Sequence, residues 1–392
     1  MGASPIPFLH LKARDKHEAH RAATPLELMF DLASVIAIAT AAAGLHHGIA
    51  EGHWDDALPG FLMAFFMIWW SWMNYTWFAS AYDDGSAGFL ILSMITMFGA
   101  LTIAAGIPAV FSGHPIVLVL GGFVIMRLAM ALFWLGAAKG DPARRRTALG
   151  YAAGIFLMQM YWVALVLSVP PGAPSYPMLM VLGFAGELAV PAVSERFGAT
   201  TWHRHHIIER YGLMNIIVLG ECFLSIEMML RLDEAGRPAG THGMLSAVAS
   251  AAITFSLWGL YFTREDHLGD DALRRALLWG YGHFVIFAAG AATGAGFAVF
   301  HEVATGHAEI GMRTASFAVA WPVAIYLGAL WMVRDRFCLT GWSLAILPAT
   351  SLAVLATPMV SAEALLPIAG LLILATWLRR MSTAADQNKL AA

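Results

Sequence analysis

Five ionisable residues stand inside long apolar runs of this 392-residue chain: Asp31, Arg127, Glu187, Glu221 and His283. In hydrocarbon each costs at least a few kcal/mol unless it is protonated, paired or wetted, so each is a candidate for function. A helical rise of ~1.5 Å per residue, counted inward from the basic ends of the runs, puts Asp31 and Glu187 at roughly 10 Å depth. His283 falls at roughly 15 Å, Arg127 at roughly 17 Å and Glu221 at roughly 20 Å or more, so the five are expected to line one polar path. Arg127 is expected to meet Glu221, the acid nearest in depth. The remaining acids must be protonated, pair with His283 as imidazolium, or bind a cation, and any of these suits a proton- or cation-coupled path. For Arg127 and Glu221 alone, an ion pair that merely joins two helices fits equally well.

Other polar residues flank these five. Thr24-Pro25-Leu26-Glu27 reads as a capping box with proline at the first helical position, which accounts for Glu27 through backbone donors. Asp31, one turn deeper on the same face, lies beyond any capping role. Tyr211 and Asn215 could donate to the same cavity or pack between helices. Glu227 falls near the outer interface, where solvation explains it. His46, His47 and His53 gather at the end of the first apolar run, and His203, His205 and His206 precede the seventh. Adjacent histidines are expected to diverge, so both groups read as solvated and no metal site is assigned. No Walker-type, dinucleotide, Cys-x-x-Cys or His-Glu-x-x-His pattern occurs, so neither an enzyme nor an ATP-driven pump is expected, and no cofactor is implied. Cys222 and Cys338 are read as unpaired packing residues.

The elements that must position these residues follow from composition. The chain is 59% hydrophobic and 12% charged, about half the charged fraction usual in soluble domains. Apolar runs of about 18 or more residues, each long enough to cross a ~30 Å core as helix, recur along nearly the whole length. They are continuous rather than alternating, which excludes a β-barrel. The expectation is an all-α polytopic membrane protein of about twelve spans, beginning Pro25 to Ile49, Leu58 to Tyr82 and Ala87 to Phe111 and ending Leu365 to Leu378. Counted alternately, the loops place nineteen of the 23 Lys and Arg on one side, so both termini are expected in the cytoplasm and the chain in the inner membrane. The basic N-terminal segment has no apolar stretch of its own, so it is not expected to be a cleaved signal. A net charge of −3, with basic residues dispersed, implies no nucleic-acid partner; membrane lipids are the implied surroundings.

Two halves share a pattern. Glu27 opens the first span and Glu209 the seventh, and Trp72, Tyr75, Asp83 and Asp84 in the second span match Trp258, Tyr261, Glu265 and Asp266 in the eighth. This order points to a duplicated six-helix unit, 25–194 and 206–378, with both copies entering the membrane the same way. A cytoplasmic segment 1–24, a linker 195–205 and a tail 379–392 complete the division.

Pro25-Leu26-Glu27-Leu28-Met29-Phe30-Asp31-Leu32, then Glu209-Arg210-Tyr211-Gly212-Leu213 with Ile216-Ile217-Val218-Leu219-Gly220-Glu221, resemble the bacterial low temperature requirement protein A (LtrA) family. Tyr281-Gly282-His283-Phe284 and the aromatic run Trp69 to Tyr75 fit the same resemblance. It implies a membrane location and a polar signature of Glu27, Asp31, Glu209, Arg210, Glu221 and His283, but no particular reaction. Ala33-Ser34, where the family carries bulkier residues, and Cys222, where serine is common, depart from it. Residues and resemblance together lead to two leading expectations, with an intramembrane enzyme as a third behind them. One is a secondary transporter of a small solute coupled to a proton or cation. The other is a membrane sensor or scaffold that binds a lipid or apolar cofactor, with the acids serving structure. A shared wet cavity at Asp31 and Glu221 would mark the first, and dry ion pairs beside a lipid-facing pocket the second.

Overall fold

A computed structural model of the chain describes residues 9–19, 21–231, 240–263, 268 and 273–391. Arg237, Arg264, Glu265 and Asp266, used above for orientation and for the repeat, lie outside the described residues. Among those described, all regular structure is helical: α1 (Pro25–Ala50), α2 (Trp54–Tyr82), α3 (Ala87–Phe111), α4 (Val117–Gly140), α5 (Arg145–Ser168), α6 (Tyr176–Ser194), α7 (Arg204–Leu230), α8 (Thr241–Phe262), α9 (Leu273–Thr305), α10 (Met312–Leu330), the single turn α11 (Arg336–Cys338), α12 (Ile346–Val360) and α13 (Leu365–Ala391). A π-helical turn, Trp331–Asp335, joins α10 to α11. Most boundaries fall within a few residues of the apolar runs.

Eleven helical stretches are long and apolar enough to cross a membrane. The 29-residue α2 has the length as well. Its Trp69, Trp70, Trp72, Asn74, Tyr75 and Trp77 carry polar N–H and O–H groups that lower its hydropathy below the other eleven. Large side chains such as Leu32, Phe98, Leu157, Val181 and Leu352 point outward and are exposed. That surface would be costly in water and is ordinary against lipid tails.

The capping box forms as read: the Thr24 backbone N–H donates to Glu27 Oε2 at 2.8 Å, and the Glu27 N–H to Thr24 Oγ1 at 3.3 Å. Ahead of it, the Leu11 N–H donates to the Gly136 carbonyl and the Arg14 N–H to the Ala81 carbonyl, so this segment is tied to the ends of α4 and α2. Arg14 and Glu18 pair at 2.7 Å. The Arg14 hydrogen bond holds the Glu18 carboxyl below the usual carboxylate range.

The chain divides into two compact units, drawn from Met1–Thr40, Ala64–Arg210 and Asp271–Leu277, and from Ala41–Met63, Tyr211–Asp270 and Leu278–Ala392. In the first, α3 packs on α4, α4 on α5 and α5 on α6. A Cβ at Gly122 would lie 2.6 Å from the Ile103 nitrogen, so glycine lets the α3 and α4 backbones touch. In the second, α8 packs on α13, and α10 and α13 on α12. There a Cβ at Gly294 of α9 would lie 2.6 Å from the Glu221 carbonyl carbon of α7.

Candidate functional site

The first unit carries two buried ion-pair clusters, both reached by α2. In one, Asp31 of α1 meets Arg210 of α7 through two parallel bonds, Nη1 to Oδ2 at 2.5 Å and Nη2 to Oδ1 at 2.6 Å, and the Trp72 indole N–H donates to Oδ1 at 2.8 Å. This planar fork is the strongest geometry available to a carboxylate. Glu27, fully buried, lies one turn away against Arg21 (3.3 Å) and His206 (3.0 Å). Arg21 also reaches Asp83 at 3.7 Å, and burial pushes the Asp83 carboxyl above its ordinary range.

In the other cluster, Glu187 of α6 receives Arg127 of α4, the Trp70 indole at 2.9 Å and the Trp162 indole at 3.0 Å. Arg127 also lies over the Phe123 ring at 5.6 Å. The expected Arg127 to Glu221 pair is therefore corrected to Arg127 with Glu187. Depth alone ranked the partners, and depth carries no information on which helices are neighbours. Likewise Arg127 is not the only guanidinium within the helices. Arg210 is fully buried on the second turn of α7, and Arg334 is buried in the π turn. Arg210 lies on the first turns of its apolar run and Arg334 just past the end of its own, where charge is ordinary.

In the second unit, Glu221 is 7% exposed and its carboxylate has no hydrogen bond or ion pair among the described residues. Every other buried acid described has a cation: Glu27, Asp31, Asp83, Asp141, Glu187 and Asp335. Nor does His283 pair with an acid. Its Nδ1 lies 2.7 Å from the Trp279 carbonyl and its Nε2 3.1 Å from the Tyr261 hydroxyl. A carbonyl only accepts, so Nδ1 carries the proton and Nε2 accepts from Tyr261, which suits a neutral imidazole. The Tyr211 ring meets the imidazole edge-on at 5.0 Å.

Asn215 accepts from the Tyr326 hydroxyl at 2.9 Å, a bond between α7 and α10. The Tyr75 hydroxyl bonds Ser93 at 3.1 Å. Trp258 is half exposed whereas Trp72 is buried, so the two matched tryptophans occupy different surroundings. Glu209 is exposed and, among the described residues, receives a long bond from the Ala23 N–H, 3.4 Å. Glu227 is exposed and pairs with Arg231, as solvation suggests.

His46, His203 and His206 depart from their solvated reading, whereas His47, His53 and His205 are exposed as read. His203 and His206 are buried, His203 bonded to the Glu18 carbonyl at 2.9 Å and His206 set against Glu27. His46 and His47 do not diverge; their rings stack at 4.7 Å, because rotation about the side-chain bonds overrides the angle between neighbouring helical positions. With Glu302 they form the one group among the described residues whose donors have metal-ligand spacing. Sequence reasoning also missed Arg334, which donates to the Leu260 and Tyr261 carbonyls at the end of α8 and to Asp335. Asp335 is shared with Arg379 of α13. The π turn that supplies these two residues leaves no mark in hydropathy.

An all-α polytopic membrane protein with paired charges buried inside its helices is the class these features define. Residues 22–379 match the family described as bacterial low temperature requirement A protein (LtrA), and the chain belongs to that family. No curated protein matches it.

Proposed function

We propose that this LtrA-family protein is a secondary carrier that couples a proton to movement of a small solute, rather than an enzyme, and that Glu221 is the proton-carrying group. The observation that supports this reading is the isolation of Glu221. A carboxylate buried without cation or donor is costly, and the cost disappears when it is protonated or binds a small cation. Loading and release of a proton there changes the energy of the surrounding packing, which a coupled carrier requires. The fixed pairs, Asp31 with Arg210 and Glu187 with Arg127, hold the first unit's helices in register. In this reading both termini face the cytoplasm, the chain lies in the inner membrane, and the 25–194 and 206–378 halves are a duplicated unit.

A second reading has its own observation. A groove of about 950 Å³ runs between α1 and α3, lined by Met29, Leu32, Ile36, Phe89, Met94 and Phe98, with Thr24 and Asp83 also in its wall. Such a groove suits a lipid chain, and the buried ion pairs of the same unit suit a lipid-binding sensor. Proton flux in liposomes of purified protein, under an imposed pH gradient and with solute pools added, separates the two. Flux in wild type that is lost in Glu221→Gln with folding intact supports the carrier. Equal flux in both overturns the role of Glu221, and no flux together with stoichiometric lipid retention favours the sensor.

A further inference from the structure

The second unit carries a group of side chains that neither reading uses. His46 and His47 end α1, and Glu302 lies near the end of α9. The donor atoms of all three lie within 4.8 Å of one another. We propose that these residues form a binding site for a divalent transition-metal ion of the zinc type.

The first argument is the donor set. Two imidazoles and one carboxylate are the ligands that borderline metals select, and they are unsuited to calcium or magnesium, which take oxygen. The second is geometry. His46 Nε2 stands 3.0 Å from Glu302 Oε1, and donors so spaced subtend roughly 90° at a metal held at zinc–ligand distances. The third is the state of His46. Its residue is 7% exposed, and Nε2 faces the Glu302 carboxylate at ion-pair distance with no other polar partner among the described residues. A buried ring nitrogen and a carboxylate oxygen that face each other in this way can be bridged by a cation that both ligate.

The backbone around the site is braced. The Glu309 N–H donates to the Ala50 carbonyl at 2.9 Å and the His53 N–H to the Gly48 carbonyl at 2.7 Å, which ties the chain after α9 to the end of α1. The Glu27 and His206 contact is similar in distance but lies beside Arg21 and Arg210, whose charges exclude a metal cation, and it has no third donor. At His46 the paired charge is Glu302. Because His47 is exposed, the site is open on one side, leaving positions for water or a solute, as in metal sites that act rather than merely brace.

The test uses the full chain in nanodiscs, stripped with chelator and titrated with Co²⁺ and then Zn²⁺, read by Co²⁺ absorption, bound-metal stoichiometry and thermal stability. Wild type is expected to bind one equivalent and to melt higher with Zn²⁺ present. H47Q and E302Q are expected to weaken binding roughly 10-fold or more and to abolish the melting shift. H46Q is expected to do the same. If it fails to fold, H47Q, an exposed substitution, and E302Q carry the test. H205Q, at an exposed histidine elsewhere, is expected to bind as wild type does. Binding unchanged in H47Q and E302Q, or no binding by wild type at millimolar metal, overturns the proposal.

Discussion

Removing Arg210 tests whether the Asp31 cluster is structural. Arg210→Gln leaves the Asp31 carboxylate buried with only the Trp72 indole to face it, and breaking a buried pair from one side costs about 3–5 kcal/mol. Asp31→Asn is the milder change. The guanidinium it strands still lies near the Glu27 charge, and the Trp72 N–H at 2.8 Å keeps an amide oxygen as acceptor. The double variant removes both charges together, so its cost falls short of the sum of the singles by about 2 kcal/mol or more. Reversible unfolding in mixed detergent micelles, followed by tryptophan fluorescence, gives all four corners of the cycle. A coupling below about 0.5 kcal/mol, or Arg210→Gln no more harmful than Asp31→Asn, would refute the pairing argument.

Three further outcomes follow from the packing and the charges. Gly294→Ala places a carbon 2.6 Å from the Glu221 backbone and destabilises by about 1–3 kcal/mol. Gly121→Ala, which meets nothing within 4 Å, is neutral or stabilising in the same unfolding assay. Trp162→Phe and Trp70→Phe each remove one donor from Glu187 and cost about 1.5–3 kcal/mol, readable by thermal melting in detergent. Asp83 has a carboxyl that burial raises, so the folded chain binds its proton more tightly than the unfolded chain. Its favourable contribution is present at low pH and is lost as pH rises from the ordinary Asp range through the raised value. Asp83→Asn is therefore at least as stable as wild type at pH 7, and that advantage fades on acidification; an advantage that grows on acidification would contradict the sign.

The spans were legible because crossing a bilayer demands long apolar runs, and Ala87–Phe111 was readable residue by residue. The capping box was legible because its four positions are local in sequence. Partners were not. Asp31 meets Arg210 across 179 positions and Arg127 meets Glu187 across 60, and nothing in a single sequence says which helices adjoin. Arg210, His206 and Arg334 lie at the margins of their apolar runs, where charge is ordinary, so hydropathy does not mark them as buried. The stacking of His46 on His47 was hidden for another reason: side-chain rotation, not helical spacing, brings the rings together.

Trp70 and Trp72 are two positions apart on α2, so their side chains leave the helix on nearly opposite sides. One indole is fastened to Glu187 and the other to Asp31. The helix is thereby keyed like a shaft at two points. Turning α2 about its own axis in either sense moves both indoles away from their acids, since both bonds already stand at ordinary length. With each indole–carboxylate bond contributing about 1.5–3 kcal/mol, α2 has no low-energy path of gradual rolling. It moves with α1 and α6 as one body, or it moves in a single step.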